Sequence, residues 1–207
     1  MSRLPREALT RPVLDVAPDL LGCLLTAGGV TVRLTEVEAY AGAADPGSHA
    51  YRGRTPRTEV MFGPAGHLYV YFTYGMHWCA NVVTGVEDVA SAVLLRAGEV
   101  VAGHDTAALR RPGIRERDWA RGPARLASTL GLGRDDNGVD VCGRAWEPRI
   151  ERPEVAPDPE RIRTGPRVGV SGPGGDGTAY PWRFWVEGEA TVSIYRPGRP
   201  PGSRSRR

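Results

Sequence analysis

Val30-Thr31-Val32-Arg33-Leu34-Thr35-Glu36-Val37-Glu38-Ala39-Tyr40 opens with apolar and polar residues in strict alternation. A period of two marks a strand with one buried side, because successive side chains of an extended chain point to opposite faces. Val30, Val32 and Leu34 define the core side, and continued alternation puts Glu36, Glu38 and Tyr40 on that same side. Two carboxylates on an apolar face have three readings. The strand has left the core by Glu36, or each glutamate meets a buried arginine, or a desolvated carboxylate at the strand end serves as a general base.

Working outward, Val13, Leu14, Leu20, Leu21, Leu24 and Leu25 recur at roughly helical spacing between Pro12 and Leu25. Pro18 and Gly22 make this a short helix running into a strand. Downstream, a polar loop over Gly42 to Thr58 precedes an aromatic strand over His67 to Thr73. A hairpin follows: Asn81-Val82-Val83, a turn centred on Gly85, then Ala90 to Arg96. Gly122-Pro123 opens a helix that Gly131 stops. Residues 147–166 hold five prolines among charges and read as a surface excursion. Short strands over Arg167 to Val170 and Arg183 to Val186 flank a glycine-rich loop. From Arg196 the chain is rich in arginine and proline and lacks acids, so 196–207 is predicted to be disordered and 1–195 to form one domain. Strands outnumber helices without βαβ alternation, which predicts an α+β fold with a mainly antiparallel sheet.

The 207 residues, 41% hydrophobic and 25% charged, suffice for one core without staples. No apolar run approaches the roughly 18 residues of a membrane span, and the first residues lack the apolar stretch of a signal peptide. Cys23, Cys79 and Cys142 are far apart with no CxxC pair, which excludes a disulfide framework and a thiolate zinc site. His49, His67, His77 and His104 show no HxH or HExxH spacing, so no metal is expected. All 27 basic residues are arginine. Apart from the N-terminal amine, then, no group can form a Schiff base.

Two further stretches carry chemistry. In the strand from His67, Leu68, Val70 and Phe72 point to the core and leave Tyr69, Tyr71 and Thr73 as an exposed row. That row is either an ordinary aromatic sheet surface or a platform on which planar ligands stack. In the loop from Ser48 to Arg57, Arg52, Arg54 and Arg57 stand without an acid between them. They are either solvated or a phosphate-contacting patch.

Taken together, Thr35–Tyr40, Asp45–His49, Arg54–Arg57, Met61–Tyr71, Tyr74-Gly75-Met76, Cys79-Ala80-Asn81 and Leu94–Ala97 closely resemble the alkyladenine (3-methyladenine) DNA glycosylases. Gly122–Leu126 and Pro181–Val186 resemble later blocks of that family, and the likeness runs from about residue 12 to residue 193. The resemblance implies a single α+β domain around a curved antiparallel sheet with flanking helices. It implies hydrolysis of the N-glycosidic bond of alkylated or deaminated purines flipped out of double-stranded DNA, by a monomer that needs no cofactor, in the bacterial cytoplasm at the nucleoid. By the same resemblance, Glu38 is the general base and Arg96 holds the water with it. Tyr40, His49 and Tyr71 enclose the extruded base, with Asn81 at the pocket wall. Tyr74, with Met76, fills the gap in the duplex, and Arg52, Arg54, Arg57 and Arg125 contact phosphates. The loop Ser171–Tyr180 is richer in glycine than the family's usual acidic and aromatic version.

Two other readings compete. One is a carbohydrate hydrolase using Glu36 and Glu38 as its pair, since residues two apart on a strand lie about 7 Å apart. The other is a non-catalytic nucleic-acid-binding module on a related fold.

Overall fold

The computed structural model describes residues 2–198, so the expected tail lies outside the described residues from 199 onward. Its strands are β1 (Leu24–Ala27), β2 (Val30–Tyr40), β3 (Leu68–Thr73), β4 (His77–Val83), β5 (Ala92–Ala102), β6 (Arg149–Glu151), β7 (Ile162–Gly165) and β8 (Arg183–Val186). They form one open antiparallel sheet in the order β3-β4-β5-β2-β1-β6, with β8 on β2 and β7 on β8. The helices are α1 (Val13–Asp19), α2 (His104–Arg110) and α3 (Pro123–Leu130). The fold is the single-domain α+β architecture that the strand-rich pattern predicts. Among the described residues, no helix is long and apolar enough to cross a membrane.

β2 organises the molecule. One edge runs along β5, while the other is divided, with Val30–Arg33 on β1 and Glu36–Glu38 on β8. Gly28 and Gly29 turn β1 into β2 with φ of 54° and 75°. Positive φ at both positions matches the two-residue turn whose twist suits a hairpin, and glycine adopts it without strain. α1 and α3 cover the core face. Val13, Val16 and Ala17 of α1 and Leu126, Ala127 and Leu130 of α3 pack in one cluster with Val30, Val32 and Leu34.

The strict alternation expected along β2 does not hold. Leu34 pairs with Gly98 and Glu36 with Ala97, which leaves Thr35 as an extra residue. Glu36 then pairs with Ala97 and Val37 with Leu95, which leaves Arg96 as an extra residue on β5. Each bulge changes which face the following residues occupy. The core face of β2 therefore passes from Leu34 to Val37 and Ala39, which join the same cluster. Glu36 and Glu38 go to the other face.

Three other readings need correction. Phe72 is 47% exposed and packs on Trp78, with ring centroids 4.8 Å apart, rather than lining the core. Tyr69 is buried and Tyr71 half-buried, so the tyrosine row is not exposed. The strand expected over Arg167–Val170 lies five residues earlier, at Ile162–Gly165, because Pro166 ends it by removing a donor. The Pro-rich excursion thus contributes β6 and β7 to the sheet.

Candidate active site

The face of the sheet turned away from the main core cluster carries a pocket of about 470 Å³. Its floor follows from register. Tyr69 of β3 lies opposite Asn81 of β4, Asn81 opposite Leu94 of β5, and Leu94 opposite Glu38 of β2. Directly paired residues share a face, so these four form a row across the floor. Ala50, Met61, Tyr69, Val83, Ala90 and Ala92 form a second apolar cluster beneath one wall. The loop from Gly42 to Phe62 is thereby held against the sheet.

Glu38 is fully buried. Its Oε1 accepts from the backbone N–H of Val168 at 2.7 Å and faces Arg96 Nη1 at 3.5 Å. Its Oε2 accepts from the Tyr40 hydroxyl at 2.9 Å. An ionised carboxylate offers about four lone-pair sites, so capacity remains for a water on the pocket side. Burial, and then the nearby Glu38, raise the Tyr40 hydroxyl well above its usual range and keep it a donor. Burial alone would lower the Arg96 guanidinium, but Glu38 and Glu36 outweigh it and hold it raised.

Glu36, equally buried, has a different setting. Its oxygens accept from Arg96 Nε at 2.7 Å, Arg183 Nε at 2.7 Å, Ser193 Oγ at 2.8 Å and Ser193 N–H at 2.6 Å. It does not line the pocket. Of the three readings of the two glutamates, arginine pairing thus describes Glu36, while only Glu38 opens on the cavity. A Glu36/Glu38 catalytic pair, as in a carbohydrate hydrolase, finds no support in this arrangement.

The walls are aromatic. His49 packs edge-on against Tyr71, with ring centroids 4.6 Å apart, and one ring nitrogen lies 3.1 Å from the Tyr69 hydroxyl. Tyr69 and Tyr71 stack at 5.4 Å. The His49 ring remains open on its pocket side, yet desolvation, with Arg57 second, lowers its pKa and leaves it neutral at pH 7. Asn81 donates from Nδ2 to the Tyr69 carbonyl at 3.1 Å, which fixes its amide in the floor.

At the mouth, the β3–β4 hairpin turns through Tyr74, Gly75 and Met76. Tyr74 has φ of 52° and is 86% exposed. A positive φ is uncommon for a non-glycine residue. Met76 is 68% exposed beside it. Pro123 and Ala124, at the start of α3, line the pocket, and Arg125 is exposed in the same turn.

The sites expected from sequence thus fall into two groups. Glu38, Arg96, Tyr40, His49, Tyr71, Asn81 and Tyr74 all line one cavity. Met76, Arg52, Arg54, Arg57 and Arg125 are exposed and do not line it. Arg54 pairs with Asp88 and lies over the Phe62 ring, whereas Arg57 lies over Tyr71 at 5.6 Å.

Sequence reasoning missed the pair behind the pocket. Arg167, fully buried, holds Asp45 through two bonds of 2.6 and 2.7 Å, and also donates to the carbonyls of Ala39 and Gly174. Its guanidinium lies over the Tyr40 ring, 4.5 Å from the centroid. A Cβ on Gly174 would stand 2.2 Å from the backbone nitrogen of Gly47, so only glycine lets this loop close on the Asp45 loop. The pair thereby fixes Tyr40 and delivers the Val168 N–H to Glu38.

A buried carboxylate with an arginine partner, in the floor of a cavity with aromatic walls, is the kind of arrangement found in enzyme active sites. Residues 7–190 match the methylpurine-DNA glycosylase family, and the chain belongs to that family. It is 53% identical over 202 residues, 95% of this chain and 93% of the relative, to a Streptomyces avermitilis protein named "Putative 3-methyladenine DNA glycosylase". Proteins of the same name from Frankia casuarinae and Leifsonia xyli are 52% and 50% identical, each over 92% of both chains. The chain is therefore a DNA glycosylase of the methylpurine family, a DNA repair hydrolase acting on N-glycosyl bonds.

Proposed function

We propose that this glycosylase excises alkylated or deaminated purines of the 3-methyladenine, hypoxanthine and ethenoadenine class after they flip out of duplex DNA. The observation that carries the reading is Glu38, buried in the floor of an aromatic pocket and held by Val168, Tyr40 and Arg96. Glu38 takes a proton from a water that Arg96 helps to hold. The water oxygen bonds to C1′ of the deoxyribose, the C1′–N bond breaks, and the base leaves with the bonding electrons. An abasic sugar remains and the strand is not cut.

Tyr40, His49 and Tyr71 enclose the flipped base, with Asn81 at the wall. Neutral His49 adds no positive charge beside a cationic lesion, and tyrosine faces attract such a base by about 0.5–2 kcal/mol. Flipping costs a few kcal/mol and least for damaged bases, so a wedge is needed to hold the gap open. Tyr74, exposed at the hairpin tip with Met76, supplies it. Arg52, Arg54, Arg57 and Arg125 contact phosphates of double-stranded DNA around the mouth, and the protein acts as a monomer without metal or cofactor.

The test is incubation with duplexes carrying 3-methyladenine, hypoxanthine, 7-methylguanine or ethenoadenine, followed by alkali to cut abasic sites. At least one duplex should be cut only after alkali, with full activity in EDTA and no adduct trapped by borohydride. Strand cleavage without alkali, or a trapped adduct at stoichiometric yield, would overturn the water mechanism and point to the N-terminal amine.

A further inference from the structure

Glu36 has no part in the proposed chemistry, yet the structure surrounds it with donors. It is fully buried and does not line the cavity, so it cannot touch a bound base. Its four hydrogen bonds come from Arg96, Arg183 and both polar groups of Ser193. Arg96 sits at the extra residue of β5, with Nε on Glu36 at 2.7 Å and Nη2 3.2 Å from Ser193 Oγ. Only its Nη1 is directed at Glu38, at 3.5 Å.

An arginine and a carboxylate free to choose close into a two-pronged pair. Such a pair would favour the charged form of Glu38 and occupy lone pairs that a water needs. Here two carboxylates face two guanidiniums, Glu36 and Glu38 against Arg96 and Arg183. Without Glu36, two cations would face one carboxylate, and that carboxylate is Glu38.

On the reading of Glu38 as the base, we infer that Glu36 is a positioning residue. It holds Arg96 by the Nε edge, so that the guanidinium orients Glu38 and its water without closing into a full ion pair with Glu38.

The other groups around Glu38 do not obscure a test. Tyr40 on β2, Tyr71 on β3 and Cys79 on β4 are raised, first by burial, and stay protonated through neutral pH. Arg167, behind Tyr40, is paired with Asp45. Arg183 on β8 is bound to Glu36. His49 titrates lower, through burial and Arg57, neither of which Glu36 touches, so its contribution is common to all variants.

The experiment is single-turnover excision against pH on the best-excised of the four lesion duplexes, with duplex affinity measured alongside. For Glu36→Gln, the acid limb should move down by about one pH unit and the plateau rate should fall at least about tenfold, with affinity within about threefold. Glu36→Asp keeps the charge and should hold the acid limb within about half a unit of wild type. An unmoved acid limb in Glu36→Gln, or equal shifts in both variants, would overturn the inference. If Glu36→Gln does not fold, Arg183→Gln reads the same balance with opposite sign. One cation fewer strengthens the hold of Glu36 on Arg96, so the limb should move up, and an unmoved limb would again overturn the role. Glu38→Gln separates the two claims. Retained excision there sinks Glu38 as the base, whereas an inactive Glu38→Gln beside an unmoved Glu36→Gln sinks only the role of Glu36.

Discussion

At and behind the pocket floor, Glu36, Glu38, Arg96 and Arg183 are all less than a tenth exposed, while at the tip of the β3–β4 hairpin Tyr74 and Met76 stand 86% and 68% exposed. Charge lies inside and apolar surface outside, each against the usual distribution. The two regions are maintained differently. The buried charges are matched one to one and hydrogen-bonded, so removing a partner strands an ion in low dielectric. The tip is a short turn with little packed against it, so changing it leaves the core alone. Stability and function should therefore separate: the region behind the pocket carries both, and the tip carries function only.

Arg167→Met should have the largest effect on stability. It strands Asp45, whose side chain is fully buried, and should lower unfolding free energy by about 3–5 kcal/mol in chemical denaturation. A loss below about 1 kcal/mol would mean that water or rearrangement satisfies Asp45. Tyr74→Ser should do the reverse. Stacking of one aromatic on a base is worth about 1–3 kcal/mol, so lesion-duplex affinity should fall by that amount and a fluorescent base analogue should report less flipping. Unfolding free energy should stay within about 0.5 kcal/mol. A destabilised Tyr74→Ser, or an unchanged flipping signal, would make the tip structural or place the wedge elsewhere.

A smaller effect distinguishes the rim from both regions. Replacing Arg52, Arg54 and Arg57 by alanine should flatten the slope of log affinity against log salt by roughly two to three units, at about 0.9 per phosphate contact. Arg54 already faces Asp88, so a result nearer two would mean that this pair persists on DNA. An unaffected slope would move the footprint towards Arg110–Arg125.

Local patterns in the sequence carried the fold well. Alternation through Leu34 located β2, and Pro123 with Gly131 bounded α3. The Gly28-Gly29 pair is a hairpin signal of the same local kind. Non-local compensation was not legible. The bulge at Thr35 reverses the facing of β2 and the bulge at Arg96 that of β5, and nothing in an isolated strand announces an extra residue set by its partner. Asp45 and Arg167 lie 122 residues apart, and neither is unusual until the loops close. For the site, the resemblance pointed to the lining residues one by one. What separates Glu36 from Glu38 is which of them the bulges, β8 and Ser193 enclose, and that exists only in three dimensions.

If Glu38 performs chemistry rather than binding, the decisive measurement is single-turnover excision by Glu38→Gln, with lesion-duplex affinity measured on the same preparation. General-base catalysis typically contributes about 10²–10⁴-fold, so excision should fall by at least about a hundredfold while affinity stays within a few-fold. Excision retained above about a tenth of the wild-type rate, or a loss explained by weaker binding, would contradict the account.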